Sequence, residues 1–260
     1  MGTSGSHLTV GTEQWLRVTG GRLTLFQALG ISAQGFAQTI SSRVSGRSRL
    51  SDAEASNQFA RVSAARKELS LVLSSLQKHV LDRQGQGVLN HACRTYLLGA
   101  ALVPDEIFNR LDHTAAAVAA LAHDDGLLHP STPGNCFTAD SAIEANNMIA
   151  SLGLPESSSV QARAAVISHF QPKLPVNSGA EAQLVALGAS ADVMGIGLRR
   201  IYPQLLREIW QEWPDLSFLS EIKKLFKGEV SRAPRTRAGI LALSGMPYLL
   251  RKSGAEEGKR

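Results

Sequence analysis

From Ser51 to Ile201 apolar residues return every three or four positions, and no Val/Ile/Thr alternation runs long enough to make a strand. That period restricts the chain to packed helices. Phe59, Val62, Leu69, Val72, Leu76 and Val80 mark one face of a long amphipathic helix, capped by Ser51 and Asp52 and broken at Gly85 and Gly87. Further helices are expected over 25–40, 88–103, 105–123, from Asp140 or Ser141 to Leu152, and over 158–170 and 180–201. Pro203, Pro214 and Pro234 punctuate the remainder. The expected class is all-α, a bundle around 88–103, 105–123, 158–170 and 180–201. Four segments follow: a loosely packed or flexible extension over 1–50, the amphipathic helix over 51–84, a bundle over 85–205, and a helical extension with a basic tail over 206–260.

Composition narrows the setting. A chain of 260 residues, 43% hydrophobic and 19% charged, is globular and long enough for a sizeable core. Cys93 and Cys136 are too few for a disulfide framework, so a reducing, cytoplasmic setting is expected. Residues 1–50 carry five arginines against Glu13 alone, a balance that also suits an organelle transit peptide; a mobile N-terminus is the simpler reading. No transmembrane segment is expected, since the charge-free run Leu23 to Ser42 holds three glutamines and two glycines. The net charge of +5 gathers at the two ends, which read as solvated tails rather than a nucleic-acid surface. The apolar stretch Ala238 to Arg251 reads as packed structure rather than a membrane-surface helix. A homo-oligomer is left open.

Charge inside apolar stretches is the informative signal. Between Ala182 and Leu198 only Asp192 is charged, and it shares a helix face with Leu184 and Gly188. A buried carboxylate needs a partner. Arg94, Arg199 or Arg200 could provide one, and so could a metal ion. His91 stands in a similar apolar helix. His123 and Asp124 end an alanine-rich helix before Gly126, where a frayed terminus lets neighbours share a target. Acids at the negative end of a helix also call for a cation. Two imidazoles and two carboxylates suit one divalent ion such as zinc, iron, manganese, nickel or cobalt.

The ordered set His91, His123-Asp124 and Asp192, with NHACRTYLLG around His91, ALAHDDGL around the dyad, CFTADSAIEANNMIASLGL after it, AVISHF around His169 and LVALGASADVMGIGLRRIYP around Asp192, resembles the HD superfamily of metal-dependent phosphohydrolases. Its cyanamide-hydratase-like members are the nearest subgroup. The resemblance spans about residues 86–205. It implies an HD-domain helical bundle with N- and C-terminal helical extensions. It also implies one metal ion held by His91, His123, Asp124 and Asp192. Asp124 and His169 would act in catalysis, and Lys173, Arg94 and Glu144 would face a small-molecule substrate. The implied activity is phosphohydrolase-type hydrolysis by metal-activated water, with nitrile hydration of the cyanamide kind as the alternative. A non-catalytic sensing or scaffold role is the third reading. Two positions depart from the pattern: Asp125 stands where an apolar residue is usual, and Ser141 where a glycine is. A phosphatase would need cations beside the metal, whereas a hydratase would need a small apolar pocket, for which Phe137 and Phe170 are candidates.

Overall fold

A computed structural model of the chain describes residues 8–44, 50–174, 178–216 and 218–244. Among them the helices are α1 (Glu13–Thr19), α2 (Leu25–Val44), α3 (Asp52–Leu102), α4 (Asp105–Phe108), α5 (His113–Ala122) and α6 (Asp125–Leu128). They continue with α7 (Phe137–Ser151), α8 (Glu156–Ser168), α9 (Ala180–Met194), α10 (Pro203–Glu212), α11 (Phe218–Arg232) and α12 (Arg237–Leu243). The class is all-α, as the periodicity predicts. The only β-type pairing among these residues is an isolated bridge between Arg22 and Thr236. Among the described residues no helix is long and apolar enough to cross a membrane.

The 51 residues of α3 form two limbs. Gly85 lies at φ +75°, outside helical geometry, and the chain turns there. In a straight helix Arg61 and Ala100 would stand roughly 58 Å apart. Instead the Arg61 guanidinium donates to the carbonyls of Ala100 and Ala101, at 3.0 and 3.1 Å, and so satisfies groups that the end of the second limb leaves free. The predicted break at Gly85 is therefore a reversal of direction.

The second limb of α3 and the alanine-rich α5 are buried all round. Helices buried on every face form the centre of a bundle. α5 packs against α3, α7, α8 and α9, and its small side chains permit those close approaches. The tightest crossing is between α9 and the second limb. A Cβ at Gly188 would lie 1.8 Å from the Thr95 carbonyl oxygen, and one at Gly99 would lie 2.3 Å from that of Leu184. One turn beyond Gly188, this contact delivers Asp192 to the interior beside His91.

Three helix boundaries differ from expectation. The predicted helix 105–123 is interrupted, because Asp112 leaves helical geometry and accepts the Ala115 N–H at 3.0 Å as the cap of α5. α9 stops at Met194, where Gly195 takes a left-handed conformation. α7 begins at Phe137 rather than at Asp140 or Ser141. Its Phe137 N–H is accepted by the Glu229 carboxylate from α11, while Ser141 Oγ accepts the Gly126 N–H at 2.8 Å.

Described parts of both extensions pack on the body. Trp15 of α1 is fully buried with the Arg237 guanidinium 5.1 Å over its ring, so the part of 1–50 around α1 is packed rather than loose. Within 206–260, α11 packs on α3 and α6. The basic tail, and all of the stretch Ala238 to Arg251 beyond residue 244, lie outside the described residues.

Two glycines give opposite expectations. Gly188→Ala should lose about 3 kcal/mol or more, since the clash is with backbone. Gly228→Ala, whose Cβ would meet nothing within 4 Å, should gain about 0.5–1 kcal/mol from helix propensity. Urea unfolding of the two variants checks both signs.

Candidate metal centre

Three helical segments meet at one buried point. The second limb of α3 brings His91 and Arg94, α9 brings Asp192, and the end of α5 brings His123 and Asp124. His123 closes α5 with φ −59°, and Asp124 leaves it at φ −104°, ψ 1°. That turn aims both side chains at one target, as the sequence suggested. Asp124 Oδ2 lies 3.4 Å from His123 Nε2 and 3.4 Å from His91 Nε2, and the two nitrogens are 3.0 Å apart.

The hydrogen bonds behind each ring settle which nitrogen carries the proton. His123 Nδ1 donates to the Ala120 carbonyl at 2.7 Å. His91 Nδ1 donates to Asp192 Oδ2 at 2.6 Å. Each ring thus turns an Nε2 lone pair toward the other and toward the Asp124 carboxylate. Burial disfavours charge on all three groups, yet the neighbouring His123 and His91 outweigh it at Asp124 and hold its carboxyl well below the usual range. Burial likewise works against a charged His91, but Asp124 and Asp192 outweigh it and raise its pKa, while burial depresses that of His123. The cluster therefore asks for one cation between its rings, either a proton on His91 or a metal ion.

The residues fit an ion. A point equidistant from the three ligand atoms lies about 1.9 Å from each, so an ion slightly off their plane meets the 2.0–2.2 Å bond lengths of zinc to histidine and carboxylate. His91, His123 and Asp124 thus form a buried group of metal-ligand type.

Asp192 stands behind this group. Arg94 grips it with Nε to Oδ1 and Nη2 to Oδ2, both at 2.7 Å, and His91 takes Oδ2 as well. Burial would raise its carboxyl, but Arg94 and then His91 hold it well below the usual range. Of the two partners the sequence left open, an arginine or a metal, the structure shows the arginine. Asp192 orients His91, as carboxylates do behind metal-binding histidines. The group of metal-ligand type that the geometry brings together is His91, His123 and Asp124, with Asp192 behind His91.

The substrate-facing set is also corrected. Arg94 is fully buried, and its remaining nitrogen donates to the Trp213 carbonyl at 2.9 Å, so it has no reach toward a substrate. Glu144 pairs with His79 at 2.5 Å and lies 3.6 Å from Arg83, outside the cavity. Lys173 is exposed and does not line the cavity. Asp125 faces away from its neighbour Asp124: it is buried and held at both oxygens by Arg83, at 3.0 and 2.7 Å.

A cavity of about 60 Å³ opens onto His91, His123 and Asp124. His169 lines it, with Nε2 3.9 Å from Asp124 Oδ1 and Nδ1 donating to the Val166 carbonyl at 2.6 Å. Burial, with His123 nearby, pushes the His169 pKa down to about 3. The ring is neutral at pH 7 and offers only a lone pair, so it accepts a hydrogen bond there and does not donate one. Phe170 lines the cavity, and Phe137 packs edge-on against it at 5.4 Å.

Sequence reading missed the roof. Phe218 stacks on the His91 ring at 4.0 Å and 11°, and Ile222 and Phe226 line the cavity. Their spacing of four along α11 was the available signal. Ser190, two residues before Asp192, was also missed; it lines the cavity, and its hydroxyl has no hydrogen-bond partner among the described residues.

Two outcomes follow. Arg94→Met strands a buried carboxylate and should cost about 3–5 kcal/mol in urea unfolding. Metal affinity should rise with pH, because an ion displaces the proton that the raised His91 pKa retains. Titration with zinc at successively higher pH should show affinity rising as His91 gives up its proton. No protein-family model matches the chain and no curated protein matches it, so the reading of the site rests on its geometry.

Proposed function

We propose that the chain is a metal-dependent enzyme of the HD type, with His91, His123 and Asp124 as ligands of one divalent ion, and that it adds water to a small neutral electrophile such as a nitrile. A bound ion of this kind supplies Lewis acidity and brings the pKa of water toward neutrality. The observation that carries the choice of substrate is the cavity wall. Among the described residues lining it none is lysine or arginine, whereas Phe170, Val193, Met194, Ile222 and Phe226 are apolar. A phosphate dianion would enter without a cationic partner from the protein, at a large desolvation cost.

Size points the same way. A water needs about 10–15 Å³ by this measure, so the cavity admits only a few non-hydrogen atoms. Cyanamide, hydrated to urea, is of that size. In that reaction the two π bonds of the nitrile and both O–H bonds of the water break, a C=O double bond forms, and both protons of the water end on the former nitrile nitrogen. The His169 lone pair accepts a hydrogen bond from the incoming water and orients it. Phosphohydrolase activity is the second reading, supported by the superfamily resemblance of the ligand set.

Elemental analysis of purified protein should find about one divalent metal per chain. The same preparation should be assayed on cyanamide, phosphomonoesters and nucleotides. Cyanamide turnover supports the proposal, and turnover of phosphate esters alone would replace it with the second reading. Asp124→Ala should lose both metal and turnover while circular dichroism stays helical; undiminished turnover in that variant would overturn the assigned site.

A further inference from the structure

Much of the cavity wall beyond the ligands is built by two helices, α9 and α11, and its make-up is uneven. α11 presents Phe218, Ile222 and Phe226 in a row, one per turn. Phe218 is occupied by its stack on His91, and Ile222 and Phe226 remain to close the space. α9 presents Val193 and Met194 together with the Ser190 hydroxyl. Apart from the ligands and His169, that hydroxyl is the polar side-chain group on the wall. A hydroxyl without a partner beside an apolar cavity is a ready contact for a ligand that carries one hydrogen-bonding group.

Building on the proposed hydration of a small neutral substrate, we propose that Ser190, Ile222 and Phe226 select it. Ser190 hydrogen-bonds the polar end of the substrate, and Ile222 and Phe226 set its length. The ligand class is an uncharged nitrile with one short polar substituent. Phe226 is the stronger limit: its ring sits 5.5 Å from that of Phe170, so the two aromatic groups close the cavity from opposite helical segments. One surplus methyl group in such a space is worth about tenfold or more in discrimination.

The test compares wild type, Phe226→Ala and Ser190→Ala on cyanamide and dimethylcyanamide, with bound metal measured in each. Wild type should favour cyanamide by at least about tenfold in kcat/KM, and Phe226→Ala should collapse that ratio while keeping its metal. Ser190→Ala should lose kcat/KM for cyanamide through a higher KM. An unchanged ratio in Phe226→Ala, or an unchanged KM in Ser190→Ala, would overturn the assignment. The Ile222 methyl resonance gives a reading that does not depend on turnover. It should shift with cyanamide in wild type, and with dimethylcyanamide in Phe226→Ala alone. If the proteins turn over neither compound but show this pattern, the hydration reading fails and the selecting wall stands. If the resonance moves with neither compound in either protein, the selecting wall fails.

Discussion

A fully buried charged carboxylate persists only if donors surround it, and those around Asp192 include two nitrogens of Arg94 and the Nδ1 of His91. Much of the centre depends on this arrangement. It fixes which nitrogen of His91 bears the proton, and so turns the other nitrogen's lone pair toward His123 and Asp124. The close α9 crossing at Gly188 brings the carboxylate there, and the Trp213 carbonyl occupies the guanidinium's outer nitrogen. Ligand geometry, helix packing and the segment after α10 are thus coupled through one ion pair.

Much of this was legible in the residues. The Leu184, Gly188, Asp192 spacing predicted a packed face, and the alanine run before His123 predicted a central helix with a dyad at its end. Both hold. The partner of Asp192 was not legible, because Arg94, Arg199 and Arg200 are equivalent in sequence and only the fold brings one of them within reach. The roof was hidden for a similar reason. Phe218, Ile222 and Phe226 read as the apolar face of any amphipathic helix, and periodicity cannot say what such a face covers. The break between α4 and α5 was hidden because apolar spacing continues across Asp112, whose side-chain cap ends one helical segment and starts the next.

The two adjacent acids of the HDD sequence divide their work. Asp124 turns inward to the imidazoles, whereas Asp125 opens α6 and meets Arg83 and the Gln84 amide on the first limb of α3. Glu144 and His79 join the same outer group. The departure from the usual apolar residue after the dyad is therefore absorbed by a separate ion pair, and the negative charge of Asp125 is neutralised away from the cavity.

The segment Trp15 to Leu23 and the segment Ala233 to Arg237 lie side by side. Leu23 donates to the Arg235 carbonyl at 2.8 Å, and Arg237 reaches from above Trp15 to the Ile167 carbonyl at 2.7 Å. α11, which roofs the cavity, is held between this junction and the second limb of α3. On a translating ribosome His91, His123 and Asp124 emerge roughly a hundred residues before that roof does, and domains generally fold as units from the leading end. The nascent chain would then carry the buried His91, His123 and Asp124 group without its roof for several seconds.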